Sequence, residues 1–118
     1  MSPQDKPLVW LKGEVKTPPL SDAARVEAGF LLRRLQRGES IGLPASRPMP
    51  TIGGACHELR VRDAEANWRV MYHIADDAVV VLDVFAKKTG VTPKGVLDAC
   101  RQRLALYKKV TKGPRDAR

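Results

Sequence analysis

Three runs of alternating apolar residues, 56–62, 68–74 and 79–86, follow one another with only the polar stretches 63–67 and 76–77 between the strand segments. Links this short cannot hold the crossover that parallel neighbours require, so the three runs are predicted to pair as an antiparallel meander. The rest of the chain has to be arranged around that small sheet. Side chains alternate along a strand. One face is therefore predicted to collect Leu59, Val61, Trp68, Val70, Tyr72, Ile74, Val80, Leu82 and Val84 against a helix, and the other to carry Glu58, Arg60, Arg62, Arg69, Met71, His73, Asp83, Phe85 and Lys87.

Two helices are signalled on either side of the meander. Ser21 can cap a helix running to about Arg37, because its hydroxyl can accept from a free amide of the first turn. Val26, Phe30, Leu31 and Leu35 are read as its apolar stripe, widened by Ala28 and Leu32, with Gly38 as its end. The second runs from Thr92 to about Lys109, with Thr92 as cap, Pro93 at the first helical position, and Val96, Cys100, Leu104 and Tyr107 as the stripe that Leu97 broadens. Before the first helix, the run Leu8-Val9-Trp10-Leu11 between Pro7 and Lys12-Gly13 reads as a short strand, followed further on by the Pro18-Pro19 breaker. The Gly- and Pro-rich residues 38–55 read as an exposed connection. The expectation is one α+β domain over residues 1–118, with a core at about 8–109 and a basic tail at 110–118. Its small antiparallel sheet has three to four strands packed against the N-terminal and the C-terminal helix.

Charge is distributed unevenly. Residues 87–118 hold ten Lys or Arg against two acids, which accounts for the whole net charge of +8, while residues 1–86 hold eleven of each sign. A one-sided positive field attracts polyanions and speeds their encounter, so nucleic acid or a nucleoprotein is the leading partner class. The same residues also read as a solvated basic surface. No apolar run approaches the roughly 20 residues of a spanning helix, and the N-terminal apolar stretch is too short for a signal peptide. A cytoplasmic protein without membrane association is expected. Cys56 and Cys100 stand far apart with no metal-ligand spacing beside them, so neither a zinc site nor a disulfide framework is suggested.

The polar sheet face is the candidate site. Arg60, Arg62 and Arg69 with Lys87 can form a phosphate cradle, because guanidinium groups form bidentate hydrogen bonds with phosphate oxygens. They also fit a face on which they pair with Glu58 and Asp83. Lys94, Arg101 and Lys108 recur every seven residues on the second helix, where they suit either backbone phosphates or solvent.

With these residues in view, a family resemblance emerges. The run Cys56-His57-Glu58-Leu59-Arg60-Val61-Arg62-Asp63, then Trp68-Arg69-Val70-Met71-Tyr72, then Phe85-Ala86-Lys87-Lys88-Thr89 and Thr92-Pro93-Lys94, resembles the ELR, RxxY, FxKK and TPK pattern of the RelE/ParE toxin superfamily. Its phage-derived HigB-like branch is the nearest. Leu32-Arg33-Arg34-Leu35-Gln36-Arg37-Gly38-Glu39 fits as well, so the likeness spans roughly residues 8–109. The resemblance implies a compact helix-packed sheet, a helix-turn-helix antitoxin from the same operon, and cleavage of messenger RNA on the ribosome.

That chemistry is attack of a ribose 2′-hydroxyl on the adjacent phosphate, needing a proton acceptor, cations for the charge growing on phosphorus, and an acid for the leaving oxygen. It calls for no metal and no small-molecule cofactor. Arg69, matching the family's RxxY arginine, is the first choice for phosphate stabilisation, supported by Arg60, Lys87 and Lys88. His73 ranks first as acid or base. His57 reads as half-buried, Tyr72 as core, and Tyr107 as packing or a base-stacking ring. Two alternatives stay open: a toxin of this fold acting on gyrase or another protein, as the ParE branch does, and a non-catalytic basic binding module. An acidic antitoxin segment covering Arg60, Arg69 and Lys87 would block both phosphate binding and attraction to the ribosome.

Overall fold

A computed structural model describes residues 5–64, 66–87 and 91–116, with side chains described to Thr111. The elements run β1 (Leu8–Trp10), α1 (Asp22–Gln36), β2 (Ser46–Pro48), β3 (Cys56–Arg62), β4 (Asn67–Ile74), β5 (Val79–Lys87) and α2 (Lys94–Asp116). The strands form one five-stranded sheet in the order β1-β5-β4-β3-β2. The expected sheet of three to four antiparallel strands is therefore corrected to five strands of mixed direction. β3, β4 and β5 make the antiparallel meander. β1 lies parallel to β5, with Leu8 opposite Val79 and Trp10 opposite Val81, which its long sequence separation from β5 allows. β2 arises within the stretch expected to be a loop. It pairs antiparallel with β3, Ser46 opposite Leu59 and Pro48 opposite His57, and proline is tolerated there because the strand is an edge.

Both faces of the sheet are covered. On one, Ala24, Ala28, Leu31, Leu32 and Leu35 of α1 share a buried cluster with Leu59, Val61, Val70, Tyr72, Val79 and Val81. On the other, Cys100 and Leu104 of α2 share a second cluster with Cys56, Met71, Val80 and Leu82, joined by Met49 and Ile52 from the segment after β2. Ser21 caps α1 as expected, its side chain accepting from the Ala24 amide at 3.1 Å.

Two expectations about facing residues are corrected. Val26 and Phe30 are 60% and 58% exposed and point away from the core. A helix turns about 100° per residue, which sets Val26 roughly 160° from Ala28, and the small alanines let α1 approach the sheet closely. Val80 and Leu82 lie under α2 rather than α1, because the β4–β5 register shifts between Met71 and Tyr72. Past that bulge the alternation of β5 changes phase. Arg103 of α2 donates to the Leu82 carbonyl at 3.1 Å and lies 3.5 Å from Asp83, so the irregular backbone is tied to the helix above it.

α2 continues to Asp116, through part of the stretch expected to be a tail. Among the described residues no helix is long and apolar enough to cross a membrane.

Candidate nucleic-acid interface

Glu58 sits in the middle of β3 with its side chain wholly buried. Taking an ionised carboxylate out of water costs several kcal/mol, and only close cations and hydrogen bonds offset that. Its neighbours provide both. Oε1 faces Arg60 Nε at 3.4 Å, Arg69 Nε at 3.6 Å and Arg47 Nη2 at 3.7 Å, while Oε2 faces Lys87 Nζ at 3.6 Å and accepts from the Thr92 hydroxyl at 3.1 Å. Burial pushes the Glu58 carboxyl up, but Lys87, the Thr92 hydroxyl, Arg47 and Arg60 together hold it below the ordinary glutamate value. It is ionised at neutral pH. Four cations then surround one anion, a local excess of three positive charges over that carboxylate among the described residues.

The cross-strand register sharpens this excess. Arg60 and Arg69 stand directly opposite each other, an arrangement of like charges that normally destabilises a sheet. Burial lowers the Arg69 pKa, Glu58 opposes that shift, and Arg60 and Arg47 add to it. Arg69 donates from Nη1 to the Trp68 carbonyl at 3.1 Å, yet its buried Nε has no hydrogen-bond partner, and neither does the buried Nε of Arg47. The guanidiniums are thus gathered around Glu58 without being saturated by it. Arg60, Arg62 and Arg69 also line a cleft of about 460 Å³. α2 begins one residue beyond Pro93, whose carbonyl receives the Val96 and Leu97 amides, and no acidic side chain occupies its first turn. The positive end of the helix dipole adds to the field on this side.

Of the residues singled out in the sequence, Arg60, Arg69 and Lys87 come together around Glu58, and Arg62 joins Arg60 and Arg69 at the cleft. Lys88 lies outside the described residues. Lys94 is exposed in the first turn of α2, whereas Arg101 donates to the Thr51 carbonyl at 2.6 Å and pairs with Asp98.

His73 does not join the arginines. It is four residues from Arg69 along β4, about 13 Å for an extended chain, and α2 packs on Met71 between them. Only 8% exposed, it has Nδ1 3.0 Å from the Gly54 carbonyl and 3.6 Å from Cys56 Sγ. A carbonyl can only accept, so Nδ1 carries the proton. Burial first, and then Lys108, lower its pKa, against the Gly54 bond. His73, Tyr107 and Lys108 line a separate cleft of about 300 Å³. His57 stacks on Tyr72 with ring centres 5.2 Å apart, and the Tyr72 hydroxyl is 2.6 Å from Ser46 Oγ in the core.

Three participants carry no clear signal of the site in the sequence. Arg47 lies in a Gly- and Pro-rich stretch, where a three-residue edge strand has too little alternation to show. Thr92 has the form of a helix cap, although its hydroxyl goes to Glu58. Glu27 of α1, which lines the arginine cleft, looks like one more solvated helical charge. Among the described residues no group of metal-ligating side chains is assembled.

A mixed sheet enclosed by two helices, with a concentrated cationic site at one end of its central strands, defines a small α+β protein with a cluster of positive charge on its sheet. Residues 18–105 match the family model described as phage derived protein Gp49-like (DUF891). The chain belongs to that phage-derived Gp49-like family. No curated protein matches it.

Proposed function

We propose that this protein is the toxin of a type II toxin-antitoxin pair, of the HigB-like branch of the RelE/ParE superfamily, cleaving translated messenger RNA on the ribosome. Membership of a phage-derived Gp49-like family is compatible with such a role. The observation that carries the reading is the cluster around Glu58, where four cations meet one carboxylate. A phosphodiester gains negative charge as the 2′-hydroxyl attacks, and guanidiniums already gathered at that point stabilise the charge without reorganising. Arg69 and Arg60 would contact the phosphate, Lys87 would add charge, and Glu58 would hold all three in place. Lys88, Arg62, Lys94 and Lys108 would contribute to attraction of the polyanion. The partner would be a helix-turn-helix antitoxin whose acidic segment masks the same cluster, in the cytoplasm.

The test is induction of the wild-type chain and of Arg69→Ala separately in bacteria lacking the antitoxin, with RNA 5′ ends mapped within minutes. New ends inside translated reading frames with the wild type alone are expected. Growth arrest with intact RNA would refute cleavage.

The separation of His73 from the arginines favours a second reading, a toxin of the same fold that binds a protein target such as gyrase. Without a proton-transferring imidazole beside it, a guanidinium cluster binds anionic groups more readily than it cuts them.

A further inference from the structure

Glu27 and Arg62 line the same cleft of about 460 Å³ and carry opposite charges. Both are exposed, and among the described residues neither has an ion-pair partner. Opposite charges that share a cleft without closing on each other leave room for a group between them. Such a group has to donate toward Glu27 and accept from the arginines. A phosphate satisfies only the second demand, because a carboxylate at neutral pH repels it. A nucleobase satisfies both when its donors and acceptors lie on different edges.

Guanine has that pattern. Its O6 and N7 are paired acceptors that match a guanidinium bidentately, and its N1–H and 2-amino group are paired donors that match the two oxygens of a carboxylate. Adenine has a single amino donor and no O6. Cytosine offers Glu27 one amino group, and uracil offers it one ring N–H between two repelling carbonyls. We propose that this cleft is a guanine-reading subsite next to the phosphate seat, with Glu27 on the N1–H and amino edge and Arg62 on O6 and N7. Asn67 lines the cleft too and can hydrogen-bond with either edge. The assignment rests on the reading of the site as an RNA interface, and it adds the base that the interface selects.

The probes are the four nucleoside 5′-monophosphates, titrated into the purified chain and followed by NMR shifts. Guanosine monophosphate should bind at least tenfold more tightly than the other three. Glu27→Ala should collapse that preference to within twofold, and Arg62→Ala should reduce it as well. Glu27 is an exposed helical position where alanine is a good helix former, so the variant should fold, which its circular dichroism will show. Arg69→Ala should weaken all four nucleotides together. Equal affinity for the four bases in the wild type, or a guanine preference that survives Glu27→Ala, would overturn the guanine assignment and leave the phosphate seat standing. No binding of any nucleotide at millimolar concentration would overturn both.

Discussion

Glu58 shows how one side chain sets the properties of a site. A wholly buried carboxylate with four cationic neighbours and a hydroxyl donor is costly to truncate, because its partners lose their counter-charge while two of them, Arg69 and Lys87, remain mostly buried. Glu58→Ala should destabilise the fold by about 3 kcal/mol, the low end for breaking a buried pair, measured as a shift in the urea midpoint. His73 acts in the acid range instead. Its folded pKa lies below its ordinary value of 6.5, so the unfolded chain takes up a proton first as pH falls. Its contribution is complete above pH 6.5 and is lost as pH drops toward the folded value. His57 is shifted in the same direction, mainly by burial. Urea unfolding at pH 7.5 and 5.5 should therefore show lower stability at pH 5.5, with a smaller loss in His73→Asn.

At the scale of elements, the two helices differ in how plainly their sequences announce the buried face. On α1 the larger apolar residues Val26 and Phe30 stay in water while Ala24 and Ala28 are buried, since a helix lying close on a sheet needs small residues where the two meet. Phe30→Ser should change stability by less than about 0.5 kcal/mol, whereas Leu31→Ala, in the core, should cost about 2–5 kcal/mol; thermal melts of the two variants separate these outcomes. The α2 stripe of Cys100, Leu104 and Tyr107 is legible because its spacing is unbroken. The meander is legible from its short turns, but the bulge in β5 is not. Nothing in a run of five apolar residues, Val79–Val80–Val81–Leu82 and then Val84 around Asp83, marks where alternation slips. β2 and its Arg47 are hidden for the opposite reason, too few residues to show a period. Arg60, Arg69 and Lys87 are readable as one face because they follow the strand alternation. Their shared dependence on Glu58, and the exclusion of His73, depend on where α2 lands.

For the whole molecule, the net charge and the concentrated site turn out to be different things. The C-terminal third holds the excess positive charge, yet the densest group of cations combines Arg47, Arg60 and Arg69 from the electrically balanced part with Lys87 at the boundary. On the proposed reading, the basic helix supplies a long-range field that raises encounter rates and fades with salt, and the cluster around Glu58 is the seat for phosphate. The measurement that separates these roles is the salt dependence of binding between the purified chain and a short single-stranded RNA, compared among wild type, Arg60→Ala, Arg69→Ala and the double variant Lys94→Ala/Lys109→Ala on α2. Removing one cation that neutralises a phosphate should flatten the slope of log K against log salt by about 0.7. Arg60→Ala and Arg69→Ala are each expected to show about that much flattening and an affinity at least tenfold weaker, with the α2 variant changing affinity less than either. An unchanged slope in both arginine variants, with the weakening found in the α2 variant instead, would contradict the assignment of the Glu58 cluster as the place where RNA phosphate binds.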